Sequence, residues 1–469
     1  EPASWDEAYD FIKKELNRII KDHGPDAIAG ISSARCTNEE NYLFQKMIRA
    51  VIGTNSVDCC ARICHSPTAW GMQQTFGTGA ATNSTEDIYH ADLFLVIGAN
   101  PTNAHPVTGA KIKQQVMKGK KLIVLDPVTT ELAKLADYHI KLKPGTNVAV
   151  LNMMLHFILK EKLYNVDFVR DRTEGFENFI KEIERQDVDE LAKIAGVDKQ
   201  LVKEAAIAYA TAKNSMEFHG LGVTEHEQGS KTVMLIADLA MITGNIGRKG
   251  VGVNPLRGQN NVQGAADMGC QPHQGAGYFN VADEKNQKFY SEKYGVTHPT
   301  KPGLKIPEMF EAAINGKGRL KNFDWKESAE ITANQKEYPL ILTTSRALQH
   351  YNCGTMTRRT NNIDIMDEDI LLIHPKDAAE RDLITGDFGR LFSGRGKVDL
   401  KVEVTDKVKQ GVVFTTFHFP EHMVNMVTGH GKDEETMCAE YKVSSVEVKK
   451  ISNRFEPKEK ENEYQVQVK

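Results

Sequence analysis

Three thiols and an imidazole fall together in Cys59-Cys60-Ala61-Arg62-Ile63-Cys64-His65. Buried cysteines behave as small hydrophobes, and two of them beside a loop thiol are the plainest account of such a stretch. Zinc is a second account, but there is no Cys-x-x-Cys and no second His or Cys cluster nearby in sequence. The third makes Cys64 a soft thiolate ligand for a redox metal, with His65 beside it as proton acceptor. Further on, Arg257-Gly258-Gln259-Asn260-Asn261-Val262-Gln263-Gly264 crowds a guanidinium and four amides between glycines. Amides suit the edges of heterocycles, and Arg257 offers a two-pronged grip on a small carboxylate. Glycine-bearing turns recur at Gly98-Ala-Asn100, Lys143-Pro-Gly145-Thr146, Gly220-Leu-Gly222 and Gly244-Asn245-Ile-Gly247. Each alone is ordinary turn chemistry; together they offer backbone N–H groups to several phosphates. No GxxxxGK[ST] occurs, and no GxGxxG opens the first βα turn, which disfavours a standard ATP or nicotinamide site.

These residues need a scaffold, and the hydrophobic pattern describes one. Ser4-Trp-Asp-Glu7 reads as a capping box opening an amphipathic helix with Ala8, Phe11, Ile12 and Leu16 on one face. The runs Ala27–Ile31, Asp92–Gly98 and Lys121–Pro127 alternate with helices and predict parallel, doubly wound α/β domains. Met216–Gly222 and Val251–Pro255 read as further strands, while Leu151–Ala212 is mostly helical in period. From Tyr338 the chain changes character: short β-rich runs at Leu340–Thr344, Asp369–Ile373, Val398–Val404 and Gly411–Phe417 predict a mainly antiparallel barrel or sandwich. The expected organisation is a partial α/β domain over 1–57 and an α/β cofactor-binding domain over 58–260. A helical remainder and linker over 261–332, a β-barrel cap over 333–453 and a charged tail over 454–469 follow.

Composition excludes several classes. The 469 residues carry a formal charge of −4, so no global basic field argues for nucleic acid or an acidic membrane surface. No apolar run approaches the roughly 20 residues needed to span a bilayer. Seven Cys are too sparse for a disulfide framework and point to a reducing, cytoplasmic compartment.

Cys64-His65-Ser-Pro after an Arg, the Arg257-Gly-Gln-Asn-Asn-Val-Gln-Gly motif and Ser4-Trp-Asp-Glu-Ala resemble the catalytic subunit of molybdenum or tungsten formate dehydrogenases. These are molybdopterin bis-guanine-dinucleotide oxidoreductases. The resemblance extends to Thr355-Met-Thr357-Arg358-Arg and Tyr441-Lys442-Val in the β-rich region. It implies that Cys64 ligates the metal, His65 relays the proton and Arg257 orients formate, and that the C-terminal unit is a double-psi type barrel. Cofactor contacts are expected at Gly98, Asn100, Asp126, Lys143, Gly145, Thr146, Gly220, Gly222, Gly244, Asn245 and Gly247. Further contacts are expected at Gly258, Gln259, Asn260, Thr344, Arg346, Thr355, Thr357, Arg358, Tyr441 and Lys442. The implied partners are formate or carbon dioxide and an electron-transfer subunit; the alternatives are another oxidoreductase of the same family or a non-catalytic cofactor-binding subunit. Two departures stand out. The family's [4Fe–4S] ligands are absent from this chain, and half of one α/β domain is missing between the helix at Pro307–Asn315 and the barrel.

Overall fold

The computed structural model describes residues 2–315, 328–334 and 336–451, so the join at 316–319 and the tail 454–469 lie outside the described residues. Seven strands form two parallel sheets: β1 (Gly30–Ser32), β2 (Val57–Cys59), β3 (Leu93–Ile97), β4 (Lys121–Leu125), β5 (Tyr138–Ile140), β6 (Ser215–His219) and β7 (Gly252–Pro255). β1 pairs only with β2, whereas the other five run in the order β5-β4-β3-β6-β7. β2 crosses the expected 57/58 boundary.

The larger sheet is buried on both faces, which is why its strands read as continuous apolar runs. Alternate residues of β3 divide between the faces. Leu93, Leu95 and Ile97 join the core under the helices Asn147–Lys160 and Gly229–Ile242, and Phe94 and Val96 join the opposite core with Ile112 and Leu122. The smaller sheet lacks such cover. Helix Trp5–His23 has the expected capping box between Ser4 and Glu7, yet none of its residues is fully buried. Leu16 and Ile20 pack on Ile48, Ile52 and Val57, while Phe11 and Ile12, expected on the core face, are 66% and 51% exposed. The helix that follows β1 is regular over Asn38–Lys46 and widens to a π-helical turn at Met47–Ile52.

The C-terminal strands β8 (Leu340–Thr344), β9 (Ile370–Ile373), β10 (Phe388–Phe392), β11 (Lys397–Val404), β12 (Val412–Thr415) and β13 (Ser444–Ile451) close a barrel in the order β10-β11-β9-β12-β8-β13. Its pairings are antiparallel except β8 with β12 and β9 with β11. Closure leaves no open edge, and Leu342, Leu371, Leu400, Val413 and Val446 fill the interior.

The turns after β3 and β6 meet backbone to backbone. Gly98 has φ +52°, and a Cβ on it would lie 2.5 Å from the Gly222 carbonyl carbon. Gly98→Ala is expected to cost on the order of 2 kcal/mol or more, read as a lowered melting temperature. The control Gly119→Ala has an equally left-handed backbone (φ +92°) but nothing within 4 Å of its Cβ, and should cost only about 1 kcal/mol.

Candidate active site

The turn that carries Cys64 is held by one buried carboxylate. Asp58, in β2, accepts from Cys59 N at 3.1 Å, from Arg62 Nε at 2.8 Å and from Ile306 N at 3.2 Å. The chain then makes a 3-10 turn over Cys60–Ile63, passes Cys64, and enters helix Ser66–Phe76 with His65 as N-cap. Thr224 Oγ1 donates to the Cys64 carbonyl at 2.7 Å, and Ser66 Oγ to the Arg62 carbonyl at 2.7 Å. Backbone on both sides of Cys64 is therefore fixed before any ligand arrives.

Electrostatics at the pair differ in kind. Burial, with Glu225 adding to it and Arg346 opposing, pushes the Cys64 thiol up to about 12. A thiolate there needs a cation beside it, which a soft metal supplies. Burial, with Arg257 and Arg62 adding positive charge, holds His65 well below the usual imidazole range, so it is neutral. Its Nδ1 is buried with no hydrogen-bond partner. Arg257 Nη2 donates to the Gly79 carbonyl at 2.6 Å, and His105 Nε2 donates to the Arg257 carbonyl at 2.6 Å.

Two cavities flank this turn. One, of about 1030 Å³, opens at the C-terminal ends of β3, β4 and β6 and is roofed by the barrel. Gly98, Asn100, Asp126, Lys143, Gly220, Gly222, Gly258, Thr344, Arg346 and Lys442 line it, so these expected contacts converge. The other, of about 1570 Å³, is lined by His65, Arg257, Arg62 and Lys305 among others. Cys64 lies at the partition: a Cβ on Gly258 would sit 3.3 Å from its Sγ and 2.9 Å from Arg346 Nη2.

Polar groups in the first cavity suit a dinucleotide. Arg346 Nε is a donor, and Asn100 Oδ1 an acceptor, buried there without hydrogen-bond partners, His226 Nδ1 likewise makes no hydrogen bond, and the glycines keep the floor free of side chains. Lys442 is less free than expected, because Nζ donates to Glu225 at 2.8 Å and to the Thr344 carbonyl at 2.8 Å. Gly145 and Thr146 shape the turn beside the cavity, where Thr146 Oγ1 donates to the Lys143 carbonyl, and Tyr441 offers its carbonyl to Thr344.

Other expected contacts lie elsewhere. Gly244, Asn245 and Gly247 are at the opposite, N-terminal edge of the sheet, where Asn245 accepts from Ser215 N at the start of β6; a glycine turn has the same sequence at either edge. They line neither cavity, which differs from the expected cofactor contact. Gln259, Asn260, Thr355, Thr357 and Arg358 belong to the seam between the Arg257 loop and the barrel's first long connection. Asn260 N donates to Tyr351, Arg35 donates to Thr355 at 2.9 Å, Thr357 accepts from Tyr351 N, and Arg358 pairs with Glu421. Sequence reading missed Asp58, His105, His226 and Lys305; only the Asp58 to Arg62 spacing, one helical turn, signalled a pair. Among the described residues no group of three or more His, Cys, Asp or Glu is arranged to hold a metal ion, and no helix is long and apolar enough to cross a membrane.

Comparison with known proteins agrees with this architecture. A family model described as molybdopterin oxidoreductase matches residues 1–366, and one described as molydopterin dinucleotide binding domain matches 340–445. The F420-dependent formate dehydrogenase 1 subunit alpha of Methanococcus maripaludis is 32% identical, over 96% of this chain and 89% of its own. That alignment runs 606 positions against 469 residues here, so the relative carries segments with no counterpart in this chain. Formate dehydrogenase H of Escherichia coli is 44% identical over 72% of this chain and 48% of its own. Acetylene hydratase from Pelobacter acetylenicus shares the fold, with TM-score 0.73 at 17% identity, covering 96% of this chain and 89% of that one.

Asp126 titrates unusually for a carboxylate. Desolvation at the cavity wall raises it from 3.8 to about 7, against a hydrogen bond from Val128 N. The native state therefore holds a proton there that the unfolded chain releases above about pH 4, and Asp126 subtracts stability as pH rises from there to 7. In the cofactor-free protein, Asp126→Asn should melt above wild type at about pH 8 and close to it at about pH 4, as thermal unfolding will read.

Proposed function

This chain belongs to the molybdopterin oxidoreductase family, and we propose that it is the catalytic subunit of a formate dehydrogenase, interconverting formate and carbon dioxide. The observation that carries the reading is the partition at Cys64. A cavity lined by glycines and unpaired polar groups lies on one side, and the cavity with a neutral imidazole and an unneutralised guanidinium lies on the other. Cys64 would be the protein ligand to molybdenum or tungsten held by two molybdopterin guanine dinucleotides. The first of these would use Gly98, Asn100, Gly220, Gly222 and Arg346, with Asp126 for the guanine edge. Bound there, the metal centre accepts the two electrons that formate loses.

The chain's own residues supply the rest. Arg257 holds the carboxylate through two parallel N–H bonds and fixes which end of formate faces Cys64. His65, kept neutral by its surroundings, takes the proton that leaves as carbon dioxide forms, so one proton and two electrons account for the oxidation. Burial of Cys64 and His65 keeps bulk water from this step. The electrons pass to a partner subunit, a reading supported by relatives named as alpha subunits. A [4Fe–4S] cluster would have to come from outside this residue set. A cytoplasmic setting is supported by seven free cysteines, four of them buried.

Formate-dependent dye reduction by the metal-loaded protein tests the function, and absence of turnover in an otherwise loaded complex overturns it. Arg257→Ala should cost about 1.5–3 kcal/mol of transition-state stabilisation, or roughly one to two decades in kcat/KM. Arg257→Lys should recover only part, because an ammonium cannot form the planar fork.

A further inference from the structure

The cavity that contains His65 and Arg257 continues to Arg62, His273, Lys305 and Glu435. Its cations are not equally balanced. Asp58 is engaged by Arg62 and by two backbone N–H groups, so its carboxylate is bonded to Arg62 and not to Lys305, which feels it only at a distance. Lys305 Nζ finds only the backbone carbonyl of Glu435, at 3.2 Å, and Arg257 only that of Gly79. Among the described residues neither cation has a carboxylate within ion-pair distance. The Lys305 backbone N–H is taken by Glu308 and that of Ile306 by Asp58, so the ammonium is the free donor at this point. Arg62 lies between: its charge is felt by Lys305 and His273 on one side and by His65 on the other. Burial and Arg62 both disfavour the Lys305 charge, a penalty that an arriving anion relieves.

We infer that Lys305 is a second anion site, an outer station that takes small monovalent carboxylates from solvent and passes them along the Arg62 wall to Arg257. This rests on the formate reading above. A cationic lining in a cleft with low-dielectric walls concentrates anions ahead of the binding step, and salt screens the effect. The exposed carboxylate of Glu435, on the same cavity wall, works against it.

The test uses the metal-loaded complex with Lys305→Gln, Lys305→Arg and Glu435→Gln. At low ionic strength Lys305→Gln should raise the formate KM roughly five- to tenfold with kcat within about a factor of two, and the difference should shrink by at least about half near 0.5 M salt. Lys305→Arg should restore the wild-type KM, and Glu435→Gln should lower it. An unchanged KM, or a loss confined to kcat, overturns the station. Should wild type bind metal yet not oxidise formate, the functional reading falls, and calorimetric titration with formate decides the station alone. Weaker binding to Lys305→Gln than to wild type supports it; equal binding, or none to wild type, overturns it.

Discussion

One buried carboxylate holds the active-site turn in place. Asp58 gathers Cys59 N, the Arg62 guanidinium and Ile306 N, tying β2, the turn before Cys64 and the helix at Ile306 to one point. A buried ion pair need not stabilise a fold, because desolvation offsets much of its attraction, but removing one partner strands the other at a cost of about 3–5 kcal/mol. The pair therefore acts chiefly on geometry. It sets where the chain emerges at Cys64, and the second anchor, Thr224 on the Cys64 carbonyl, holds that exit against the larger sheet. Cys438 Sγ reaches the same carbonyl from the barrel side, so three units of the fold converge on one residue.

Local order was legible because its causes are local. Ser4 and Glu7 form the capping box that their spacing predicts, and Val398–Val404 is a strand of almost those limits because its alternation matches a half-buried pleat. The glycine turns after β3 and β6 line the first cavity, but in sequence the Gly244 turn reads the same way. What distinguishes them is which edge of the sheet they occupy, a property of topology. Long-range polar ties were invisible for the same reason. Arg49 donates to the carbonyls of Gly269, Gln271 and Gln274, more than two hundred positions away, and nothing in its neighbours announces that. Lys442 is expected as a cofactor contact, and its ammonium is bonded to Glu225 and Thr344.

The smaller α/β unit is a two-stranded layer. β1 and β2 form a parallel pair, an arrangement that usually needs cover on both faces, and Ile31 in β1 is 49% exposed. The unit is tied to the rest by Asp58 and Arg49 and by an apolar cluster in which Ala34 and Cys59 pack with Val262, Ala265 and Cys270. The first cavity, by contrast, is lined by the larger sheet, the loops that follow its strands and the barrel.

The central claim is that Cys64 binds a metal at the partition between the two cavities. X-ray absorption at the molybdenum or tungsten edge, on purified wild type and Cys64→Ala, addresses it most directly. The account predicts a sulfur-rich shell in wild type that loses one sulfur, or the metal itself, in the variant. Zinc alone in wild type, or an unchanged metal shell in Cys64→Ala, would contradict it.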